Sequence, residues 1–439
     1  MSQRPEGTDV SPPELPLSIR SETGRLAACI TVAPGNEFEH LLPRHLESAL
    51  RGPDGVLTAN PDYLLFDDLV QLRQLQGEHR TLVDVLTAVT GPRRQYDLRS
   101  MLRAVLADDG ARAEILAEVL AEETALFGAA ITPSVSARLY ELLPDQLTEA
   151  LIAGADPESG DTLLRWPMPN WLFARDCFAV VGDAIVLSRP RHRARRRDGL
   201  LARAICRHHP RLREMDRIDI AEGGEGEKRY LEGGDVLVVD GRLALIGVGI
   251  RTTEAAARAL AAALRGRGVE RVLGIFLPRR RAAMHLDTLF TLIDDGTCLW
   301  YQGAFADAGS GDQVEVVDLL DRRRRWGADL LGALADHGHR LQPIACGDGD
   351  PRAAEREQWT DGANAFALGP GRILLYGRNE RTLQALNRAG FEVLTPAELI
   401  RNATLLMTGA RRFVVALTGS ELSRGRGGPR CLTLPLARG

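Results

Sequence analysis

The chain has 439 residues, of which 44% are hydrophobic and 26% charged, and its formal net charge at pH 7 is −4. A chain of this length buries a large core, as one big domain or two ordinary ones, and its composition is typical of globular proteins. The slightly acidic balance gives no reason to expect nucleic acid or an anionic membrane as a partner.

The N-terminal stretch is rich in proline and polar residues. Residues 1–18 contain no apolar run, which predicts a disordered tail and not a signal peptide. RLAACITVAPG (25–35) follows, with the pattern of a strand that opens a structural unit. No segment approaches 18 consecutive apolar residues, so we predict no membrane span and a cytoplasmic location.

The stretch from about 68 to 163 has a helical hydrophobic period that Pro and Gly interrupt. This pattern predicts a helical insert that packs beside the rest of the chain. The predicted amphipathic helices are VQLRQLQGEHRTLVDVLTAV, YDLRSMLRAVLAD, ARAEILAEVLAEETALF, SVSARLYELL and QLTEALIAG.

Four pairs of short apolar runs flank tight turns, and each pair predicts a β-hairpin. The pairs are FAVV-GD-AIVLS (178–188), DVLVV-DG-RLALIG (235–247), TLFTLI-DDGT-CLWY (288–301) and AFAL-GPG-RILLYG (365–377). After the second pair, TTEAAARALAAALRGRG predicts a helix and VERVLGIFL predicts a strand. NERTLQALNRAG and FEVLTP repeat that order after the fourth pair.

Repeated β-β-α-β units predict a pseudo-symmetric, propeller-like α/β assembly around a central axis. Such an assembly would set equivalent strand ends of every unit around one shared cleft. We predict a catalytic domain made of residues 19–67 and 164–439, with 68–163 as the helical insert domain.

Six cysteines lie at positions 29, 177, 206, 298, 346 and 431 without CxxC spacing. This scatter argues against a zinc ribbon and against a disulfide framework, and cytoplasmic thiols stay reduced. Lys228 is the only lysine, so arginine carries nearly all of the positive charge. We interpret the arginine runs at 195–197, 279–281 and 322–325 as solvated faces.

Four clusters hold residues that can do chemistry. They are PNWLFARDCF with Asn170, Arg175 and Asp176, LEGGD with Glu232 and Asp235, MHLDTLF with His285 and Asp287, and GRGGPRC with Arg426 and Cys431. A strand at HLDTLF would set its His and Asp on one face, because side chains alternate with period two. The glycines of LEGGD would allow backbone conformations closed to other residues, and those of GRGGPRC would permit close approach to the thiol.

Each cluster also has a structural interpretation. A lone cysteine is usually a small core residue, a histidine on a strand is usually satisfied by its neighbours, and EGGD is usually a turn. The coincidence of several clusters beside hairpins favours a site, since a Cys–His pair near acids is a nucleophile constellation. Such acids raise a thiol pKa, which is odd for a protease but sensible for a cationic substrate.

Together and in this order, the clusters resemble the arginine deiminase family within the guanidino-group-modifying superfamily. FARD (173–176) is similar to the family's FTRD, LEGGD holds its EGGD (232–235), MHLDTLF holds its HLDT (285–288), and RGRGGPRCL (424–432) is similar to RGRGGPRCM. The resemblance runs from about residue 20 to the end. It implies a five-bladed α/β propeller of ββαβ repeats with an inserted α-helical domain.

The resemblance also implies roles for individual residues. Cys431 would be the nucleophile and His285 the general acid/base. Asp176 and Asp287 would bind the guanidinium nitrogens, and Glu232 would support them or the proton transfers. The remaining implied pocket residues are Arg195 and Arg251 at the substrate carboxylate, Asn170, Phe173 and Arg426 along the pocket, and Asp235 and Gly425 near its gate.

The implied reaction is hydrolysis of L-arginine to L-citrulline and ammonia through a covalent intermediate on Cys431, with no cofactor or metal. Three alternatives stay open: a related guanidino hydrolase or amidinotransferase, a binding protein without catalysis, and a Cys hydrolase of amide bonds. A homo-oligomer is compatible with the sequence. The chain departs from the family pattern at Ala174 and Cys177, at Val32 and Ala33, and in segments 55–63 and 399–417.

Overall fold

The computed structural model describes residues 15–53, 55–128, 131–220, 228–305, 314–321 and 323–439. The strands in the first half of these ranges are β1 (Leu26–Thr31), β2 (Ala49–Arg51), β3 (Leu57–Ala59), β4 (Gln95–Asp97), β5 (Phe178–Val181), β6 (Ala184–Leu187), β7 (Asp216–Ile218), β8 (Val236–Val238), β9 (Leu243–Val248) and β10 (Arg271–Phe276). The later strands are β11 (Phe290–Asp294), β12 (Thr297–Trp300), β13 (Glu315–Asp318), β14 (Arg325–Gly327), β15 (Gln342–Ala345), β16 (Phe366–Gly369), β17 (Arg372–Tyr376), β18 (Glu392–Leu394), β19 (Phe413–Leu417) and β20 (Leu434–Arg438).

The α-helices of the described residues fall into two groups. The first group is α1 (Leu72–Thr90), α2 (Leu98–Leu106), α3 (Asp109–Phe127), α4 (Pro133–Glu141) and α5 (Pro144–Ala153). The second group is α6 (Arg196–His208), α7 (Glu254–Arg265), α8 (Leu330–Ala335), α9 (Pro351–Trp359), α10 (Glu380–Arg388) and α11 (Pro396–Thr408). None of the described helices combines the length and apolarity that crossing a bilayer requires.

Five sheets with three or more strands share one motif within the described residues. Their strand orders are β20-β1-β4, β5-β6-β7, β14-β13-β10-β9-β8, β11-β12-β15 and β16-β17-β19-β18, and β2-β3 is a separate hairpin. Each sheet contains an antiparallel pair whose second member pairs in parallel with a later strand. The predicted β-β-α-β unit and mixed α/β architecture are therefore confirmed.

The four predicted hairpins form as antiparallel pairs, namely β5–β6, β8–β9, β11–β12 and β16–β17. The helix and strand predicted after the second hairpin are α7 and β10, and β10 runs parallel to β9. All six residues of β9 are buried apolar or glycine residues, which is typical of a strand covered on both faces. RLAACITVAPG contains β1, whose antiparallel partner β20 comes from the end of the chain.

The sheet of the fourth hairpin has a strand order that the sequence did not indicate. FEVLTP forms β18, but β18 lies at the sheet edge, and β19 from the segment 399–417 lies between it and β17. The two strands differ in burial, since two of the three β18 residues are exposed whereas four of the five β19 residues are buried. The more apolar strand takes the central place, where both of its faces are covered.

The five helices predicted between 68 and 163 form as α1 to α5. Side-chain caps fix several of their starts, for example Asp97 accepting from Ser100 N and Asp108 accepting from Ala111 N. The short strand β4 lies between α1 and α2 and pairs with β1, so α1 connects two strands of one sheet. The division of the chain into domains stays a prediction.

The N-terminal tail predicted for residues 1–18 falls mostly outside the described residues, which begin at 15. Ser18 forms an isolated parallel bridge with Ala437, and Ile19 forms an antiparallel bridge with Gly182. These bridges join the start of the described chain to the sheets of β20 and β5.

Candidate active site

The candidate site lies where five segments meet, each directly before the first strand of a sheet's antiparallel pair. The segments are the 3₁₀ turn Ala174–Asp176 before β5, the 3₁₀ turn Gly233–Asp235 before β8, the 3₁₀ turn Leu286–Thr288 before β11, the loop with Asn364 before β16, and the loop with Cys431 before β20. Arg175 N donates to Cys431 O at 3.1 Å, which joins the first and last of these segments directly. Residues distant in sequence thus share one buried centre, as the repeat pattern predicted.

The histidine of the site is held by a carboxylate. His285 Nε2 lies 3.0 Å from Glu232 Oε2, and its Nδ1 lies 3.8 Å from Asp176 Oδ1. Burial lowers the pKa of His285, but the charge of Asp176, the hydrogen bond with Glu232 and the charge of Asp235 outweigh burial and raise the pKa to about 9. At neutral pH this histidine is therefore an imidazolium that can donate a proton.

The cysteine of the site faces a second carboxylate and an amide. Cys431 Sγ lies 3.7 Å from Asp287 Oδ2 and 3.9 Å from Asp287 Oδ1. Asn364 Nδ2 donates to the sulfur at 3.3 Å, while Asn364 Oδ1 accepts from the backbone N–H groups of Arg430 and Cys431 at 3.0 and 3.2 Å. Burial first, and then the charges of Asp287 and Asp176, raise the pKa of the Cys431 thiol well above its usual range.

Each of the two aspartates is held at one oxygen by a buried arginine. Arg195 Nη1 donates to Asp176 Oδ2 at 2.6 Å, and Arg430 Nη1 donates to Asp287 Oδ2 at 2.7 Å. Asp176 Oδ1 is buried without a hydrogen-bond partner among the described residues, and Asp287 Oδ1 has the Cys431 sulfur, at 3.9 Å, as its hydrogen-bonding neighbour there. Both aspartates therefore keep one oxygen available to a ligand beside the thiol.

The two arginines expected at a substrate carboxylate both contact Glu232. Arg195 Nη1 donates to Glu232 Oε2 at 3.1 Å, and Arg251 Nη1 donates to the same oxygen at 3.2 Å. Burial raises the pKa of Glu232, but Arg251 and Arg195 outweigh it and hold the pKa well below the usual range. Arg251 Nε is buried without a hydrogen-bond partner among the described residues, which leaves it free for an anionic group.

The interpretation of the run 195–197 as a solvated face is wrong for two of its three residues. Arg195 is 2% exposed and also donates to Asp198, and Arg197 is 7% exposed and pairs with Glu123. Acidic side chains from other segments compensate the buried charges, which the local sequence does not reveal.

Two local predictions about the site motifs are also wrong. HLDT does not begin a strand, because Thr288 N and Thr288 Oγ1 both donate to His285 O and close a 3₁₀ turn. The glycines of LEGGD have no positive φ. They are required for space, since a Cβ on Gly233 would lie 2.1 Å from Arg175 O, and one on Gly234 would lie 2.9 Å from the His285 ring.

Asp235 ties two of the site turns together. It is fully buried, accepts from Thr252 Oγ1 at 2.6 Å and accepts from Leu286 N at 2.9 Å. Burial raises the pKa of Asp235 to about 7. The hydrogen bond to Leu286 N fixes the turn that carries His285 and Asp287.

Phe173 packs against Gly425 and Gly427 of the segment that leads to Cys431, and Asn170 lies three residues before Phe173. Asn170 Nδ2 donates to Leu64 O, and the Phe173 ring stacks on Phe66 with centroids 6.4 Å apart. A Cβ on Gly425 would lie 2.6 Å from the Phe66 ring and 2.8 Å from the Phe173 ring. The chain therefore needs glycine where it passes the aromatic pair.

Arg426 and Asp361 are two buried, oppositely charged residues near the thiol. Arg426 Cζ lies 3.6 Å from the centroid of the Trp359 ring, and both Arg426 and Asp361 have positive φ, 62° and 66°. All three side-chain nitrogens of Arg426 and both carboxylate oxygens of Asp361 are buried without hydrogen-bond partners among the described residues. Burial raises the pKa of Asp361 to about 7 although Arg426 lowers it.

Asp176, Glu232 and His285 also have the geometry of a metal-ligand set. One ligand atom of each lies within 4.8 Å of the others. The Arg195 guanidinium already contacts two of the three, so a cation of the protein itself balances these carboxylates.

Sequence reasoning missed Asn364, Asp361, Arg430 and Glu22 as residues of the site. Asn364 had a detectable signal, because it precedes the fourth predicted hairpin at the position that the other motifs occupy before theirs. Glu22 had none, since its contact with Arg430 joins residues 408 positions apart.

The fold and the site together are those of an α/β protein in which a buried thiol and a histidine lie among carboxylates that have oxygens available to a cation. A sequence profile of the arginine deiminase family matches residues 62–438. The chain is 31% identical to an arginine deiminase of Listeria welshimeri, covering 97% of this chain and 99% of that protein. It is 33% identical to an arginine deiminase of Mycobacterium avium, covering 96% of this chain and 98% of that protein. The chain belongs to the arginine deiminase family.

Among solved structures, an amidinotransferase from Microseira wollei, of the saxitoxin biosynthetic pathway, matches with a TM-score of 0.51 at 12% identity. The match covers 97% of this chain and 98% of that one. At this identity the likeness shows the mixed α/β fold alone.

Proposed function

We propose that this protein hydrolyses L-arginine to L-citrulline and ammonia, with Cys431 as the nucleophile. The observation that carries the proposal is the pair of available carboxylate oxygens, Asp176 Oδ1 and Asp287 Oδ1, beside a buried thiol and an imidazolium. A guanidinium presents a planar set of N–H donors that two carboxylates can hold in charge-assisted hydrogen bonds. These hydrogen bonds would hold the guanidinium carbon in position for attack by the sulfur.

The chemistry follows from the protonation states of the free enzyme. The Cys431 thiol proton faces the Asp287 carboxylate, which accepts it as the bond from sulfur to the guanidinium carbon forms. His285 then donates its proton to one nitrogen, and ammonia leaves. A covalent S-alkylthiouronium remains on Cys431. Neutral His285 next removes a proton from water as the water oxygen attacks the same carbon. When the S–C bond breaks, the sulfur takes back the proton held by Asp287, and the added hydroxyl group loses its proton as the citrulline carbonyl forms. That proton is released to solvent, where it converts the ammonia to ammonium.

Glu232 holds the acid/base in place. Its Oε2 accepts from His285 Nε2, so the other ring nitrogen is directed toward Asp176 and the reacting group. Two arginines keep Glu232 ionised, and an ionised Glu232 stabilises the imidazolium before proton transfer.

Recognition of the amino-acid end of the substrate involves a second group of residues. Arg251 is proposed to bind the α-carboxylate through its unpartnered Nε, and Arg426 through its unpartnered guanidinium. Each side-chain nitrogen of Arg195 already donates within the protein, Nε to Asp198, Nη1 to Asp176 and Glu232, and Nη2 to Asn170 O. Arg195 is therefore less suited than Arg251 to bind the α-carboxylate directly. Asn170, Phe173, Gly425 and Asp235 are proposed to shape the pocket and its entrance.

The alternatives differ in how they use these arginines. Agmatine has no carboxylate, so a hydrolase of agmatine would leave Arg251 and Arg426 without a ligand. A binding protein without catalysis is disfavoured by the presence of the thiol, the imidazolium and all three acids. A hydrolase of amide bonds is disfavoured because the acids raise the thiol pKa when no cation is bound.

We further propose that the five sheets are the blades of a five-bladed propeller with the helical insert beside it. The support is the shared strand motif and the position of one site segment before each antiparallel pair. A cytoplasmic location, a homo-oligomer and a reaction without cofactor or metal remain our predictions.

The proposed function is tested by incubating the purified protein with arginine, agmatine and asymmetric dimethylarginine in separate reactions. Citrulline, ammonia and any transfer product are measured in each. Citrulline and ammonia in equal amounts from arginine, with little product from agmatine, support the proposal. Preferred turnover of either other compound, or a transfer product in place of ammonia, contradicts it.

A further inference from the structure

We propose that Arg430 and Glu22 are positioning residues that aim one oxygen of Asp287 at the reacting guanidinium. This inference rests on the proposed function, in which Asp287 binds the substrate beside Cys431. Neither residue touches the reacting atoms in this account, because both act through the Asp287 carboxylate.

Arg430 is the residue directly before the proposed nucleophile, and its side chain is buried. The residue is 1% exposed, and its Nη1 donates to Asp287 Oδ2 at 2.7 Å. With that oxygen engaged, rotation of the carboxylate is restricted and Oδ1 stays at 3.9 Å from the Cys431 sulfur. Both carboxylate oxygens lie within 4 Å of the sulfur, and Arg430 determines which of them, Oδ1, is left without an arginine partner and so remains for the guanidinium.

Glu22 holds Arg430 from the opposite side. Arg430 Nε donates to Glu22 Oε2 at 3.1 Å, and Nη2 donates to Glu22 Oε1 at 3.0 Å, which is a bidentate pair. Arg430 Nη2 also donates to Val236 O at 2.9 Å. Every nitrogen of this guanidinium therefore has an acceptor, and its plane is fixed by groups from three segments.

Glu22 is itself anchored to the strand that follows the Glu232 turn. Glu22 N donates to Val238 O at 2.8 Å, and Val238 N donates to Glu22 Oε1 at 3.4 Å. Burial raises the pKa of Glu22, but Arg430 and Arg175 outweigh it and lower the pKa to about 2. The carboxylate is therefore ionised at neutral pH and balances the buried charge of Arg430.

Asp176, the other aspartate proposed to bind the substrate, is held by an arginine in the same way. Arg195 donates to Asp176 Oδ2 through Nη1 and to Asp198 Oδ2 through Nε at 3.0 Å. Each aspartate thus contacts a buried arginine, and that arginine contacts a second buried acid. Two such chains would aim two oxygens at one guanidinium from different sides.

The test compares Arg430→Met, Arg430→Lys and Glu22→Gln with wild type, each corrected for the folded fraction by circular dichroism. Arg430→Met is expected to lower kcat about 100-fold with less than a tenfold rise in KM, because a misaimed carboxylate impairs the reacting geometry more than binding. Arg430→Lys keeps a cation at Asp287, and its kcat is expected to be about tenfold higher than that of Arg430→Met. Glu22→Gln keeps the cation but weakens its support, and is expected to lower kcat about tenfold.

Arg99 provides a matched control. It is a largely buried arginine that pairs with Glu37 and Glu149 at 2.7 Å each, away from the thiol. Arg99→Met removes a comparable ion pair, so it is expected to lower the melting temperature while kcat per folded molecule stays within twofold of wild type.

A readout that does not need turnover is the pH dependence of Cys431 alkylation by iodoacetamide. The thiol faces the charges of Asp287, Asp176 and Asp361, which raise its pKa, and that of Arg430, which lowers it. The apparent thiol pKa is therefore expected to rise further in Arg430→Met and to stay at the wild-type value in Arg99→Met.

The proposal is overturned if kcat per folded molecule in Arg430→Met equals that of wild type or falls only as in Arg99→Met. If Arg430→Met does not fold, Glu22→Gln decides by the same measurements, and a wild-type kcat there overturns the proposal. Failure of the wild-type protein to make citrulline would refute the proposed function instead, so the two failures are distinguishable.

Discussion

Gly234 lies against both His285, the proposed acid/base, and Asp176, a carboxylate proposed to bind the substrate. Gly234→Ala tests whether the positions of these two side chains govern catalysis. A Cβ at this position would lie 2.9 Å from His285 Cγ and Nδ1 and 3.0 Å from Asp176 Oδ1. The backbone here has no positive φ, so alanine adds no backbone strain and the methyl group itself is the perturbation.

The expected loss of catalytic rate can be estimated from these distances. Nonbonded atoms prefer a separation of about 3.5 Å, so the ring and the carboxylate would each have to move by about 0.5 Å. A misplacement of about 1 Å costs on the order of 100-fold in rate, so a shift of about half that size should cost roughly 10- to 100-fold. The corresponding loss of transition-state stabilisation is about 1.4–2.7 kcal/mol.

The assay is citrulline formation from arginine under saturating conditions, with the melting temperature measured in parallel. Gly296→Ala is the matched control, because a Cβ there meets nothing within 4 Å and its φ is not positive either. We expect Gly296→Ala to keep kcat within twofold of wild type. A Gly234→Ala enzyme with wild-type kcat would refute the reasoning, since His285 and Asp176 would then tolerate displacement.

Three further predictions concern specificity and pH. Arg251→Ala should weaken kcat/KM for arginine about 10- to 100-fold more than for agmatine, since only arginine has a carboxylate for a charge-assisted contact of roughly 1.5–3 kcal/mol; equal losses would make Arg251 structural. Activity should fall as pH rises through about 9, where His285 loses the proton that it donates to ammonia, and an alkaline limb near 6.5 would contradict a stabilised imidazolium. In the free enzyme, Cys431 alkylation by iodoacetamide should show an apparent thiol pKa above the ordinary value of about 8.5. A value well below 7 would mean a preformed thiolate–imidazolium pair.

The elements that the sequence predicted are those whose signals are local. Asp-Gly and Gly-Pro-Gly between apolar runs specify a reversal within a few residues, so all four hairpins were placed correctly. The amphipathic period and its Pro and Gly interruptions predicted the helices from 68 to 163 in the same way. The central place of β19 depends on which strand is apolar on both faces, and the chain order of β18 before β19 suggested the opposite arrangement.

The residues of the candidate site likewise fall into those with a local sequence signal and those without one. His285 was found because it precedes a hairpin signal, and Cys431 because it follows a glycine-rich stretch that resembles a family motif. The contact of Glu22 with Arg430 depends on a chain closure over 408 residues, which no local pattern encodes. Burial of Arg195 was missed for a related reason, because its acidic partners come from separate segments that only the fold brings together.

The central claim is that a covalent intermediate forms on Cys431, and mass spectrometry tests it most directly. Wild-type protein is mixed with arginine, quenched with acid during turnover and digested, and the peptide that carries Cys431 is analysed. We predict an adduct with the mass of arginine less ammonia on this peptide, and its absence from Cys431→Ser, which should still fold and bind arginine. Citrulline formation by Cys431→Ser, or turnover of the wild type with no adduct on this cysteine at any quench time, would contradict the account.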